Sequence, residues 1–250
     1  MTGTLYLIPN TLGPCEAGAA EPLAALIPTA VQALTARLDC YIAENAKTTR
    51  AFLKLIAVQH PLARPLQEIE IAELNVNTAE AELPKLLQPL LAGRDVGLIS
   101  EAGVPAVADP GANLVRLAHA HGIRVRPMVG PSSLLLSVMA SGLNGQSFAF
   151  NGYLPIDAGQ RAKQIKLLEE RSRKEKQTQL FIETPYRNDA LLETLAATCQ
   201  PNTLVCVATD LSLASESIAT RTAGAWKKQL AAGKAPDLHK RPTVFLLLGE

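Results

Sequence analysis

The stretch from Asp95 to Ser133 limits what this chain can become more than any other. It opens with DVGLIS, a short apolar run closed by a small polar residue, which is the pattern of a buried parallel strand. EAGVPAVADPG follows, a loop whose glycines and prolines turn tightly and let backbone approach a ligand closely. NLVRLAHAHG then carries apolar residues at helical spacing and ends at Gly122, a C-cap glycine. Residues 123–127 read as the next strand, Gly130 and Pro131 as a turn, and Ser132 or Ser133 as the cap of another helix. The whole is a β–loop–α–β unit. Open α/β sheets bind ligands outside the carboxyl ends of such strands.

The same alternation runs along the chain. Strand patterns occupy residues 4–9, 39–43, 148–154, 178–183, 203–209, 216–220 and 242–249. Helical patterns lie between them at 28–37, 49–58, 158–176, 184–197 and 224–230, with one more running from Asn77 or Thr78 to Leu91. Residues 66–74 fit a third strand without requiring one. In the charged helix 158–176, Ile165, Leu167 and Leu168 mark the expected buried stripe. These patterns predict an α/β protein of two domains, 1–127 and 128–250, with mostly parallel sheets and a joint within 126–133.

Composition removes several classes. No apolar run reaches the roughly 18–20 residues that span a bilayer. No signal-peptide pattern opens the sequence, so a cytoplasmic place is expected. Cys15, Cys40, Cys199 and Cys206 lack metal or redox spacing and read as free thiols in a reducing compartment. Residues 1–127 hold 10 Lys and Arg against 12 Asp and Glu, and residues 128–250 hold 14 against 11, a lean too slight for a nucleic-acid-binding arm. GxGxxG, GxxxxGK[ST] and GxSxG are all missing, which argues against a dinucleotide fold, a P-loop enzyme and a serine hydrolase. His119 and His121 lie two apart on a helix end and face different ways, so no metal is expected there.

Two basic groups, Arg171–Arg173–Lys174–Lys176 and Lys227–Lys228–Lys234–Lys240–Arg241, read as solvated surface more readily than as RNA contacts. Trp226 reads as a packing anchor. Six strand-end loops remain: Pro9–Asn10, Ser100–Gly103, Gly130–Ser133, Glu183–Thr184, Thr209–Ser212 and Pro242–Thr243. They offer backbone polar groups and small side chains, which suits a zwitterionic, partly apolar cofactor better than a tuned acid–base pair.

At these loops the chain resembles a known family. VGLISEAGVPAVADPG followed by GIRVRPMVGPSS is similar to the SDAGTPxxSDPG segment and PGPxA turn of the tetrapyrrole methylase-like S-adenosylmethionine-dependent methyltransferases. The likeness is strongest to the branch that methylates the cytidine 2′-O-ribose of small-subunit ribosomal RNA. TLYLIP, AENAKTTR, FNGYLP, FIETPYR and PTVFLLLG extend it in order over nearly the whole chain. It implies a cofactor cleft between two α/β domains, usually in a homodimer. It implies cofactor contacts at Pro9, Ser100, Glu101, Ala102, Gly103, Val107, Ser132, Ser133, Glu183, Leu211 and Thr243, with Glu101 and Glu183 as candidates for taking an acceptor proton. Ribosomal RNA is the implied substrate. A tetrapyrrole or other small acceptor, or a cofactor-binding paralogue without transfer activity, are the alternatives. Four departures stand out: Glu101 replaces an Asp, Asn45 replaces the Asp of an AED motif, residues 10–13 replace a longer glycine loop, and residues 239–242 (HKRP) replace a KGE motif.

Overall fold

A computed structural model describes residues 2–14 and 20–250. Cys15 lies outside the described residues. The chain divides into two compact units, Met1–Ser132 and Ser133–Glu250.

In the first unit, β1 (Thr4–Ile8) leads past α1 (Ala20–Leu26) and α2 (Thr29–Arg37) to β2 (Cys40–Ala43). α3 (Ala46–Ala57) precedes β3 (Glu70–Glu73), α4 (Leu83–Leu86) and α5 (Gln88–Leu91) precede β4 (Val96–Ile99), and α6 (Ala112–Ala120) precedes β5 (Arg124–Pro127). The sheet order is β3-β2-β4-β1-β5, and every pairing is parallel. Strand alternation sends Tyr6, Ile8, Tyr41 and Ile99 to one core, with Phe52 and Ile56 of α3. Leu5, Ile42 and Leu98 go to the other, with Leu87, Leu90 and Leu114. Both faces are covered, so β4 reads as an unbroken apolar run.

The single helix expected up to Leu91 is interrupted. A 3-10 turn at Glu80–Glu82 precedes the two short helices, and each of these has a proline as its second residue, Pro84 or Pro89. Neither proline can donate the hydrogen bond that a continuous helix needs. Thr78 caps nothing: its hydroxyl accepts from the Asn75 N–H instead.

The second unit runs α7 (Ser133–Ser141), β6 (Phe148–Tyr153), α8 (Ala158–Glu175), β7 (Thr178–Ile182), α9 (Asn188–Thr198), β8 (Leu204–Thr209), β9 (Ser217–Thr222), α10 (Ala223–Ala231) and β10 (Thr243–Leu248). Its sheet order is β6-β7-β10-β8-β9. Only β6–β7 is parallel; β10 runs antiparallel to both β7 and β8, and β9 antiparallel to β8. Mostly parallel pairing therefore describes the two sheets taken together and all of the first, and does not extend to the second. The loop 210–216 is too short for the crossover that a parallel β8–β9 pair requires.

Phe181, Leu195, Val207, Trp226 and Phe245 share one core. Trp226 is buried there with its indole N–H donating to the Val205 carbonyl at 2.9 Å, as a packing anchor should. The buried face of α8 consists of Arg161, Ile165, Leu168, Glu169 and Ser172. Leu167 is 60% exposed, contrary to the expected stripe, because the positions three and four apart on this face pass it by. α9 starts at Asn188 rather than Thr184; Thr184 to Arg187 form a separate turn closed by Arg187 N–H to Thr184 O at 2.9 Å.

Candidate active-site loops of the two units

Parallel pairing brings the carboxyl ends of all five strands of the first sheet to one edge. Asn10 ties two of these ends together. Its side-chain amide donates to the carbonyls of Ser100 (3.1 Å) and Glu101 (3.0 Å), and its backbone N–H donates to Gly103 O at 2.8 Å. The Gly103 N–H answers to Thr11 O at 3.3 Å. Asn10 is itself buried. The third strand end joins through sterics: a Cβ on Gly130 would lie 2.3 Å from Cβ and Cγ of Pro9, so only glycine lets the segment after β5 rest on Pro9. Gly103 has φ +67°, a conformation that favours glycine. Pro9, Ser100, Glu101, Ala102 and Gly103 are therefore brought together, with Ser100 buried and Glu101 and Ala102 exposed. Val107 is 46% exposed between Ala106 (φ 66°) and Ala108 (φ 63°). Ser132 closes the unit, half-buried.

Carboxylates collect at this edge. The Glu101 N–H donates to Oε2 of Glu44 at 3.0 Å, and the Glu44 N–H donates to Ile99 O, also at 3.0 Å, across the β2–β4 boundary. Asp109 stands on the same loop. Burial, then the charge of Glu44 and that of Glu101, push it up to about 7, against a Ser100 hydrogen bond that pulls the other way. Asp109 also lines a cavity of about 370 Å³ with Leu74, Leu83 and Asn113. The β2→β3 and β4→β5 connections leave this boundary in opposite directions, so Glu44, Glu101 and Asp109 sit at the topological switch point of the sheet. Sequence reasoning did not single out Glu44 or Asp109. Each is the polar residue that follows an apolar strand or closes a Pro-Gly loop, and that is the signal it left.

In the second unit the carboxyl ends of β7 and β8 and the amino end of β10 meet at one edge, because β10 is antiparallel to its neighbours. Thr243 pairs with Thr209, their hydroxyls 3.2 Å apart. Leu211 is buried two residues beyond β8. Glu183, just past β7, is buried; its Oε1 accepts from Thr184 N–H and from Arg187 Nη2, each at 2.6 Å. Its Oε2 is buried without a partner, as is the Ser212 hydroxyl. Ser133 is the first residue of α7. Thus Glu183, Leu211 and Thr243 lie along one edge.

Three of the four sequence departures have structural duties. Asn45 is the N-cap of α3, its Oδ1 accepting from the N–H groups of Lys47 (2.9 Å) and Thr48 (3.3 Å), a task Asn performs as well as Asp. Asn10 ties the loops described above. Arg241 of the HKRP segment pairs through Nε with the buried Asp210 at 2.7 Å and donates to Ser215 O (2.6 Å) and Asp237 O (3.0 Å). The basic group on α8 is self-neutralised in part, with Arg171–Glu175 at 3.1 Å and Lys174–Glu170 at 2.7 Å. Among the described residues, no group of three or more His, Cys, Asp or Glu is placed to hold a metal ion.

No family model matches the chain. Its backbone is similar to the crystal structure of the methyltransferase CobJ, with a TM-score of 0.60, covering 99% of this chain and 95% of that one at 18% identity. Two α/β units with strand-end loops of this kind thus define a protein of the tetrapyrrole methylase-like fold. The ribosomal RNA small subunit methyltransferase I of Mesorhizobium japonicum is 31% identical over 238 residues, 94% of this chain and 76% of that protein. The protein of the same name from Xylella fastidiosa is 30% identical over 247 residues, 98% and 81% of the two chains, and that from Escherichia coli O157:H7 is 28% identical over 230 residues, 91% and 73%. The chain belongs to the ribosomal RNA small subunit methyltransferase I family, and it is a methyltransferase.

Proposed function

We propose that this enzyme uses S-adenosylmethionine to methylate a ribose 2′-hydroxyl of small-subunit ribosomal RNA. The observation that carries the reading is the tied loop edge of the first unit, within a chain of this family. When bound, S-adenosylmethionine supplies a methyl group already activated on a sulfonium. The residues fit such a group in two respects. Gly103 and Gly130 keep side chains out of the loop edge of the first unit. In the second unit Glu183 Oε2 and Ser212 Oγ are buried polar atoms without partners. We assign cofactor contacts to Pro9, Ser100, Glu101, Ala102, Gly103, Val107 and Ser132 in the first unit, and to Ser133, Glu183, Leu211 and Thr243 in the second.

The chain's own work is then to align the reactants and exclude water. A hydroxyl acceptor must also lose its proton to a group on the chain. Glu101 and Glu183 are the sequence candidates. Glu183 Oε1 is held by Arg187 and the Thr184 N–H, whereas Glu101 shares its edge with Asp109, whose carboxyl burial pushes up to about 7. On the same family likeness we propose a cytoplasmic homodimer. Among the described residues no helix is long and apolar enough to cross a membrane.

Titration calorimetry with S-adenosylmethionine, followed by labelled-methyl transfer to unmodified small-subunit particles and to porphyrin precursors, tests the reading. Saturable cofactor binding and transfer to the particle are expected. Absence of cofactor binding overturns the proposal as a whole, and transfer to the porphyrin alone moves the acceptor to the tetrapyrrole class.

A further inference from the structure

The second unit carries a surface feature that neither its core nor its cofactor contacts account for. Tyr186 is 69% exposed in the turn between β7 and α9. The core rings of this unit, Phe181, Trp226 and Phe245, are buried. His239 meets the Tyr186 ring edge-on with centroids 6.1 Å apart, and Nζ of Lys240 stands 5.8 Å from the ring centroid. Two hydrogen bonds hold the segments together: Lys240 N–H to the Pro185 carbonyl at 3.0 Å, and Leu238 N–H to the side-chain Oδ1 of Asp189 at 3.2 Å. The Tyr186 ring, the His239 ring and the Lys240 ammonium are therefore held together, with Tyr186 three residues along the chain from Glu183 and Lys240 three from Thr243.

Charge makes the feature selective. Glu183 is ion-paired with Arg187 and Asp210 with Arg241, while Asp189 and Asp237 accept from the Leu238 and His239 N–H groups. Lys240 forms no ion pair among the described residues. An exposed aromatic ring beside an ammonium that makes no ion pair suits an unstacked base joined to a phosphate, because every base offers a π-face and every nucleotide a negative charge. A second ring, Tyr153, is 59% exposed at the end of β6, in register with Ile182 of β7 and so at the same sheet edge.

We propose that Tyr186, His239 and Lys240 form a docking platform for a single-stranded nucleotide of the RNA acceptor, with a base stacked on Tyr186 and a phosphate held at Lys240. This rests on the RNA reading of the acceptor and adds to it the residues that would grip the strand. The platform lies in the ETPYR turn and the HKRP segment, so the replacement at residues 239–242 supplies an acceptor contact rather than removing one.

The test is fluorescence anisotropy of a short, labelled, mixed-sequence single-stranded RNA with the full chain and with Tyr186→Ala, Tyr186→Phe and Lys240→Met. Tyr186→Ala should weaken binding about tenfold or more, and Tyr186→Phe should retain it, since the ring does the stacking. Lys240→Met should weaken binding and lower the slope of log affinity against log salt by about 0.7, the share of one phosphate on a single strand. Calorimetric affinity for S-adenosylmethionine should stay at the parent value in all three. RNA affinity unchanged in Tyr186→Ala and Lys240→Met overturns the platform, as does a parallel loss of cofactor affinity, which would mean that the loop had collapsed. Methyl transfer by the parent protein to the small-subunit particle separates the two failures. If transfer persists, only the platform falls; if the parent neither binds nor methylates RNA, the RNA reading falls with it.

Discussion

Asp109 is the residue whose surroundings say most about the first unit. Its carboxyl is raised to about 7 chiefly by burial, then by Glu44, so the folded state keeps the proton that the unfolded chain releases near 4. The sign follows from linkage. Stability from this group is fully present below the unfolded value and is lost as pH rises through about 7. Asp109→Asn imitates the protonated form. The variant is expected to melt about 2–4 °C above the parent at pH 8, a figure reduced for partial solvent screening, and level with it at pH 4, by circular dichroism. Gly130 offers a steric test on the same edge. In Gly130→Ala the new methyl lies 2.3 Å from Pro9 carbons, so the Pro9 segment must move. Misplacement on that scale should slow methyl transfer about 100-fold in a single-turnover assay. Pro9, Ser100 and Gly103 were legible in the sequence because strand ends and glycine turns leave local marks. The state of Asp109 was not, because it depends on Glu44, delivered by a different strand.

At the scale of elements, Arg241 is the clearest case of a side chain that positions others. It joins the segment before β10 to the β8–β9 loop through Asp210 and Ser215, and its own carbonyl accepts from the Asn188 amide at 2.7 Å. The Asp210 side chain is 8% exposed and that of Arg241 27%. Arg241→Met leaves the buried carboxylate without its cation, held only by the Ser215 hydroxyl, and should cost about 2–3 kcal/mol, read as a lower urea midpoint at unchanged slope. Element existence was mostly readable from periodicity. Helix continuity was less so. Apolar spacing carried the reading through Pro84 and Pro89, where the missing N–H groups break the helix, and it assigned Leu167 to a face that α8 fills with Arg161, Glu169 and Ser172. Such polar residues are buried because they find partners far away in sequence: the Glu169 carboxylate accepts from the Gln200 N–H and the Thr203 hydroxyl.

For the whole molecule, the alternation of strand and helix sufficed to place the chain in the α/β class. It could not reveal that β10 enters the second sheet against its neighbours, since strand direction is set by tertiary pairing and not by composition. The second unit has a core of its own, from Leu154 to Leu247. A fragment of residues 133–250 is therefore expected to unfold cooperatively on heating, with near- and far-ultraviolet dichroism changing together; a gradual, non-coincident melt would mean that this core does not suffice.

The place of β10 also bears on how the polypeptide is made. Because it lies between β7 and β8, the parallel pair on one side and the hairpin on the other have no common partner until residues 243–248 leave the ribosome. The first unit, whose five strands are all laid down by residue 127, is free to fold while the second still waits with two open sheet edges. Nascent chains stalled just short of β10 should thus be the species that chaperones hold longest.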